Sequence, residues 1–535
     1  MNKKYKVLFI GFLLIPLFSA CNGISSNSSV YSSEDSVIQE TSTTAEETTS
    51  SSDEIVTSST EEEDFPDSFA IFSINDTHGS ILEDGDSSSY IPGMENLDYC
   101  IKQDEDYDSR YSVLLSAGDM SQGSGLSNLS KGQCMMECMN AMGIDAMTLG
   151  NHEFDWGVDT IVQEAETAEF PFLGINILNK DDGNIIDVSQ PSTIIEKGGL
   201  KIGVVGSIYS RISSSISASQ IEDIEFVDDQ PLVTAEAERL KNDEDCDVVV
   251  VLTHQAFSTN AVSSYMLDSN IDGIFGGHDH QFVSEVSDDG KRYFLEGGSN
   301  SKGYTKLVFT KNEDGTYSPI SGTVEKLTQD DCVGAESLEI RTVIKNYETL
   351  YGDKLNSVVG ERDGALGKYN LGTLVTEAMM YYAEEVCDVD DIALAVHNRG
   401  GIRSVWTSTT KNENGLYDIT YDDVYTVMPF DNKVQYIELT GEKVIEACQD
   451  GYNFHSKDFE VKYNNYYLNG IEIDESETYK VLCIDYMITN KYSVCYQGGD
   501  EGTSIGGKDV YTRGLMEDYI KYLGIVHVED FPSLV

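Results

Sequence analysis

The chain carries eight histidines, and the five before residue 300 all sit in short strings rich in Asp, Asn and Gly. These strings are Asn75-Asp76-Thr77-His78-Gly79, Gly150-Asn151-His152-Glu153, Leu252-Thr253-His254 and Gly277-His278-Asp279-His280. Together with Gly118-Asp119 they offer enough nitrogen and oxygen donors for two divalent cations. Carboxylate, amide and imidazole donors without thiolate suit Zn, Mn, Fe or Co and do not choose among them. Two ions sharing one ligand at about 3.5–4 Å activate a hydroxide and clamp phosphoryl oxygens together. An Asp directly after a strand and a Gly suits that shared position, as in Gly118-Asp119. A lone histidine is more often a packed or solvated side chain than a ligand. Repetition of the pattern is what points to a metal centre and hence to an enzyme.

The strings share a local context. Residues 69–74 run into Asn75-Asp76, 113–115 into Gly118-Asp119, 248–252 into His254, and 274–275 into Gly277-His278. Each is a short apolar, β-like run closed by a ligand-type residue. Open α/β sheets place their sites just beyond the carboxyl ends of strands, so several loops of one sheet edge converge on a shared pocket. Helical stretches alternate with these runs up to about residue 325. A polar segment, 329–351, follows with a helical period at Leu338, Val343, Ile344 and Tyr347, and then a second α/β region. There Asn370 is placed to cap a helix running from Leu371 to about Glu385, whose apolar face includes Leu374, Val375 and Ala378. At 535 residues the chain exceeds what one core supports, so two domains plus extensions are expected.

Lys3, Lys4 and Lys6, an apolar run from residue 7 to 18, and Ser19-Ala20-Cys21 read as an export signal. The run is short for a membrane span, and residues 17–21 resemble a bacterial lipoprotein box with Cys21 as the lipidated residue. A diacylglycerol-type anchor buries many methylenes at about 0.8 kcal/mol each, enough to hold a globular enzyme at a membrane; a cleaved signal and free secretion is the alternative. Residues 22–64 are mostly Ser, Thr, Glu and Asp, and read as an unfolded, self-repelling tether. Formal net charge is −58, which argues against nucleic-acid polymers or anionic membrane surfaces as partners. The cysteines form no Cys-x-x-Cys pair. Cys134 and Cys138 read as buried thiols, while Cys483 and Cys495 are a candidate disulfide.

The ordered set Asp76-x-His78, Gly118-Asp119, Gly150-Asn151-His152-Glu153, His254 and Gly277-His278-x-His280 resembles the calcineurin-like metallophosphoesterases. Residues 150–157 and the later Asn-x-Gly-Gly-Ile-Arg string resemble the 5′-nucleotidase branch, which includes UDP-sugar hydrolases. The resemblance implies an N-terminal αββα sandwich at 65–328, a linker helix at 329–355 and a smaller α/β nucleotide-binding domain at 356–535. It implies Asp76, His78, Asp119 and His280 around one ion and Asp119, Asn151, His254 and His278 around the other. It implies His152 as the residue stabilising the transferring phosphoryl group, oriented by Asp155. In the second domain it implies Asn398, Arg399, Arg403, Phe430 and Asp500 as substrate contacts, with Tyr486 as second stacking aromatic and Tyr496 as its rival. Two departures fall in this pocket: Lys368 stands where the family often has Arg, and Arg399 where it usually has Gly. The implied activity is phosphate removal from nucleoside 5′-monophosphates outside the cytoplasm. UDP-sugar or dinucleotide hydrolysis, 2′,3′-cyclic phosphodiesterase/3′-nucleotidase activity, and a non-catalytic surface-binding protein on the same fold are the alternatives.

Overall fold

The computed structural model of the protein describes residues 65–85, 89–407, 410–498 and 502–534. The export signal, Cys21, the acidic tether and Asp500 lie outside the described residues. No helix among the described residues is long and apolar enough to cross a membrane.

The strands that carry the metal-type strings are β1 (Ser68–Ile74), β2 (Val113–Ser116), β3 (Ala146–Thr148), β4 (Val248–His254) and β5 (Gly273–Phe275). They belong to two six-stranded sheets. In the first, β1, β2, β3 and Phe172–Leu173 run parallel, and the antiparallel hairpin Gly303–Lys311/Tyr317–Lys326 flanks β1. In the second, β4 lies parallel between Leu200–Ile208 and β5, and β5 pairs in parallel with Tyr293–Gly297.

Period-2 alternation explains the layering. On β1, Phe69 and Ile71 point to a cluster shared with Val113, Leu115, Val248, Val250, Leu252 and Phe275, which is the layer between the sheets. The intervening Ala70, Phe72 and Ile74 pack outward with Met94, Leu97, Met135 and Met139 of two helices. On the far side Val249, Val251 and Ile274 pack with Val233, Ala237, Leu240 and Tyr265. Both faces of each sheet are thus apolar, which is why β4 reads Val-Val-Val-Val-Leu with no polar interruption before Thr253. Each of these side chains, once fully buried, contributes about 1.5–3 kcal/mol. The fold is an αββα sandwich followed by a second α/β region.

The helix Leu338–Leu355 leaves the sandwich and stays docked on it. Ile340 and Ile344 join the outer cluster, the Tyr347 hydroxyl donates to Glu137 at 2.7 Å, and Arg341 pairs with Glu95. Beyond it, a five-stranded sheet in the order Asn453–His455, Ile392–Asn398, Thr478–Ile484, Val434–Thr440 and Thr503–Ser504 forms the centre of a separate core.

Two local expectations are corrected. The helix expected from Leu371 starts one turn earlier, at Lys368, and its α-helical part ends at Tyr381 before a π-turn over Tyr382–Val386. Asn370 is therefore a first-turn residue whose Oδ1 accepts the Gly367 N–H at 3.2 Å, while its amide donates to the Phe531 carbonyl at 2.8 Å. Asn370 thus still caps, but from the third helical position back to the Gly367 backbone, while its amide is held by the tertiary contact. Cys483 and Cys495 are free, buried thiols and not a disulfide, and Cys134 and Cys138 are buried in their Met-rich helix.

Candidate metal centre and substrate cavity

The tips of β1, β2, β3, β4 and β5 meet. Asp76 and His78 follow β1, Asp119 follows β2, Asn151 follows β3, His254 ends β4, and His278 and His280 follow β5. Backbone hydrogen bonds from Asp76 to Gly118 (2.9 Å) and from His78 to Asp119 (3.1 Å) stitch the first two loops together. The Asp76 carboxylate accepts the His278 N–H at 3.0 Å, tying one sheet to the other.

Five of these residues adopt left-handed backbone: Asp76 (φ 49°), His78 (47°), Asp119 (57°), His278 (81°) and His280 (57°). This conformation costs an L-residue about 1–2 kcal/mol, and it persists only where surrounding structure dictates it, as at functional sites. Glycines make the close approach possible. A Cβ on Gly150 would lie 2.3 Å from Asp119 Oδ1, and one on Gly118 (φ 88°) would lie 2.6 Å from the Gly150 nitrogen.

The ligand-type atoms form overlapping groups. Asp76, His78 and His280 make one, Asp119, His254 and His278 a second, and His78, Asp119 and His152 a third, with the atoms of each group within 4.8 Å of one another. The Nε2 atoms of His78 and His280 face each other at 2.9 Å. Asp119 Oδ2 lies 3.2 Å from His254 Nε2, and Asn151 Oδ1 lies 3.0 Å from His278 Nδ1. His254 Nδ1 donates to the Ala117 carbonyl at 2.8 Å and its Nε2 faces the Asp119 carboxylate; burial opposes charge on the ring, but Asp119 raises the ring's pKa to about 10, and a bound cation would take the place of the Nε2 proton. That buried Nε2 has no hydrogen-bond partner. An orphaned, buried imidazole nitrogen beside a carboxylate is satisfied by a divalent cation. Burial, with the Arg403 guanidinium nearby, holds His78 well below the usual histidine range, and burial with His254 holds His278 at about 4. Neutral imidazoles are the form a cation needs. The donor set therefore fits divalent metal.

His152 hangs over this cluster. Its N–H donates to Asp119 Oδ1 at 2.8 Å, and its Nδ1 pairs with Asp155 Oδ2 at 2.6 Å. The remaining Nε2 lies 4.0 Å from Asp119 Oδ2. Burial opposes charge on this ring, but Asp155 and Asp119 outweigh it and raise the His152 pKa.

Glu153 has a structural part that its place in the string did not reveal. Its buried carboxylate accepts the backbone N–H groups of Asp119 (2.9 Å), Met120 (2.7 Å) and Gly150 (2.7 Å). One side chain thus locks the β2 and β3 tips in register. Asn75 does the same between β1 and Gly297–Gly298, accepting from Gly297 and donating to Gly298 and to Asp76. Loop tips fastened through one shared acceptor are a relation invisible along the chain.

A cavity of about 880 Å³ opens from the cluster, lined by Asp119, Asn151, His152, His278 and His280 on one side and Asn398, Arg403, Phe430 and Tyr486 on the other. Arg403 is exposed to the cavity and reaches His78, Nη2 to Nε2 3.4 Å. Phe430 stacks on the His152 ring at 5.5 Å and 29°, and the Arg403 guanidinium lies 5.7 Å from its ring centre. The Tyr486 hydroxyl donates to the Ser214 carbonyl at 2.9 Å, joining the C-terminal half to the sandwich beside the cavity. Tyr496 faces a separate cavity of about 390 Å³. Arg399 is not among the lining residues. Its guanidinium lies over Tyr369 and Phe454 at 4.9 and 5.4 Å and donates to the Asn453 carbonyl. Sequence reasoning did not single out Lys131, Lys433 and Arg513, which also line the cavity.

Comparison with known proteins agrees with this geometry. Residues 69–282 match the model of the calcineurin-like phosphoesterases, and residues 351–496 match that of the 5′-nucleotidase C-terminal domain. An apyrase of Tabanus yao is 26% identical over 424 residues, covering 72% of this chain and 73% of its own. A 5′-nucleotidase of Vibrio parahaemolyticus is 25% identical over 427 residues, covering 70% and 73%. Among solved structures, a 5′-nucleotidase precursor from Thermus thermophilus superposes with a TM-score of 0.69 at 19% identity, covering 86% of this chain and 97% of that one. The protein belongs to the 5′-nucleotidase family, with a calcineurin-like phosphoesterase domain followed by a 5′-nucleotidase C-terminal domain, and is a metal-dependent phosphoester hydrolase.

Proposed function

We propose that this hydrolase is an extracytoplasmic, two-metal enzyme that removes phosphate from nucleoside 5′-monophosphates. The observation that carries the reading is Asp119, whose carboxylate is common to two of the groups of ligand atoms and lies between His254 and His152. On this reading Asp76, His78, Asp119 and His280 hold one ion, and Asp119, Asn151, His254 and His278 the other. Divalent ions of the Zn, Mn, Fe or Co type supply Lewis acidity and a water that ionises near neutral pH. His152 Nε2 donates to the charge that develops on the phosphoryl oxygens, and Asp155 keeps the proton-bearing ring in that orientation. Arg403 adds fixed positive charge beside the same oxygens. Asn398, Phe430, Tyr486 and Asp500 hold the nucleoside; Arg399, expected from the sequence as a further contact, is turned toward Tyr369 and Phe454 outside the cavity lining. Residues 65–328 are then the phosphoesterase domain, 329–355 the connector and 356–535 the nucleotide-binding domain.

Stacking of Phe430 on His152 supports a Phe430 ring that also stacks a base, because it brings an aromatic face to within one ring of the proposed acid. The cavity volume of about 880 Å³ exceeds what a mononucleotide fills, which favours including UDP-sugars, dinucleotides and nucleoside diphosphates as second-choice substrates. Lipidation at Cys21 places the enzyme on the outer face of the cell membrane. The test is a substrate panel with added Mn or Zn. Preference for 5′-monophosphates over UDP-sugars, dinucleotides, nucleoside diphosphates and 2′,3′-cyclic nucleotides is expected, and preference for the cyclic diester would replace the reading. Incorporation of labelled fatty acid that is lost in Cys21→Ser tests the anchor.

A further inference from the structure

Cys100 and Cys332 lie 232 positions apart in the chain, yet their Sγ atoms are 3.9 Å apart. Cys100 is on the helix Gly93–Gln103, which packs against the first sheet. Cys332 lies in a turn between the last strand of the sandwich and the helix Leu338–Leu355. The two other close thiol pairings, Cys134 with Cys138 and Cys483 with Cys495, are fully buried, whereas Cys100 is half-exposed. Among the described residues, only the Cys100–Cys332 pair combines proximity with access for an oxidant.

We propose that Cys100 and Cys332 form a disulfide that staples the approach to the connecting helix onto the sandwich. Bond formation requires the sulfurs to close from 3.9 Å to about 2.05 Å, a movement within reach of side-chain rotation. The Cys332 side supplies compliance, since residues 328–335 form a run of short turns held by Asp331 to Thr328, Cys332 to Gln329 and Ala335 to Cys332 hydrogen bonds. The helix bearing Cys100 supplies the fixed wall. In the reaction the two thiols lose two protons and two electrons as the Sγ–Sγ bond forms. A small-molecule disulfide such as oxidised glutathione takes both, its S–S bond breaking into two thiols. Burial and the neighbouring Cys332 push the Cys100 thiol up to about 12. A thiol that ionises this reluctantly attacks a disulfide slowly, so oxidation calls for long incubation. Its formation in the cell rests on the extracytoplasmic location proposed above, because cytosolic thiols stay reduced; its formation in vitro does not.

Consequences follow from where the staple sits. It closes a long loop of the unfolded chain, so its stabilisation is at the upper end for a single disulfide. Neither cysteine belongs to the ligand groups or lines the cavity, so turnover is expected to be unaffected. The test uses the full-length chain incubated with oxidised glutathione, denatured, alkylated, digested without reduction and analysed by mass spectrometry. A linked peptide pair containing residues 100 and 332 is expected, with a rise in Tm of roughly 5 °C that reductant reverses. Cys332→Ser should lose both signals while keeping the wild-type phosphohydrolase rate. Full alkylation of both cysteines after exhaustive oxidation, or glutathione attached to Cys100 alone, overturns the proposal. So does a Tm rise that survives in Cys332→Ser. A phosphohydrolase rate that falls on reduction also overturns it as stated, whereas nucleotidase activity missing from both the oxidised and the reduced protein bears on the proposed function alone.

Discussion

The His152–Asp155 pair and Glu153 sit in one five-residue turn but carry different loads. His152→Ala removes the proposed proton donor and leaves the ligand cluster intact, so kcat should fall by about 10²–10⁴ with Tm and metal content unchanged. A parallel fall in metal content would reassign His152 as a ligand. Glu153→Gln replaces a carboxylate that accepts three backbone N–H groups by an amide with a single acceptor oxygen. Metal affinity should drop about 10- to 100-fold, read by titration with Mn or Zn, with kcat largely recovered at saturating metal. Glu164 is a different kind of buried acid. Its oxygens have no hydrogen-bond partner of good geometry, only the Ser121 hydroxyl close by, and burial pushes its pKa to about 8. A folded-state pKa above the unfolded value means no penalty in acid, a penalty that grows from about pH 4.5 to 8, and a constant one above. Glu164→Gln should therefore gain stability over the wild type as pH rises through this window, by up to a few kcal/mol. Identical pH slopes for the two proteins would sink the assignment.

Loop tips and strands work as one element here, because each ligand lies within about five residues of the end of its strand. Gly150 is a tight joint. Gly150→Ala drives a methyl into Asp119 Oδ1, and to 2.7 Å from the Asp119 nitrogen, and so displaces the carboxylate proposed to bridge the ions. Metal uptake should fail before the fold does, with Tm lowered by only a few degrees and turnover lost. Gly118→Ala meets only backbone and also imposes a left-handed φ on alanine, so it should destabilise the protein by about 1–3 kcal/mol. Equal behaviour of the two variants would show that the approach of β2 to β3 is softer than the geometry indicates. The helix starting at Lys368 carries a related lesson: Asn370, which caps it, is also held by Phe531, a residue 161 positions away.

At the scale of the whole molecule, charge sets how an anionic substrate arrives. The formal net charge of −58 repels nucleotides, while Lys131, Arg403, Lys433 and Arg513 line the cavity itself. Added salt screens the long-range repulsion of the whole chain more than the short-range attraction inside the cavity, so kcat/KM should rise a few-fold between about 10 and 200 mM salt. A fall with salt would mean that the cavity cations dominate the approach. Chelation should lower Tm as well as activity, because ions that bind only the folded state add about 2.7 kcal/mol at a hundredfold excess over Kd. An unchanged Tm in excess chelator would argue that the cluster is held without metal.

The sequence alone determined where the candidate ligands are. Each follows an apolar strand, glycines punctuate the turns, and such local rules are written within about ten residues of chain. The apolar runs at 69–74 and 248–252 were likewise legible as strands. Tertiary structure decided what those loops do to one another. That Glu153 fastens two of them, that Phe430 lies on His152, that Arg403 reaches His78 while Arg399 turns back to Tyr369, and that Cys100 meets Cys332 are contacts between distant segments. No short-range pattern encodes them, because they arise only when two sheets and a second core close around the same point.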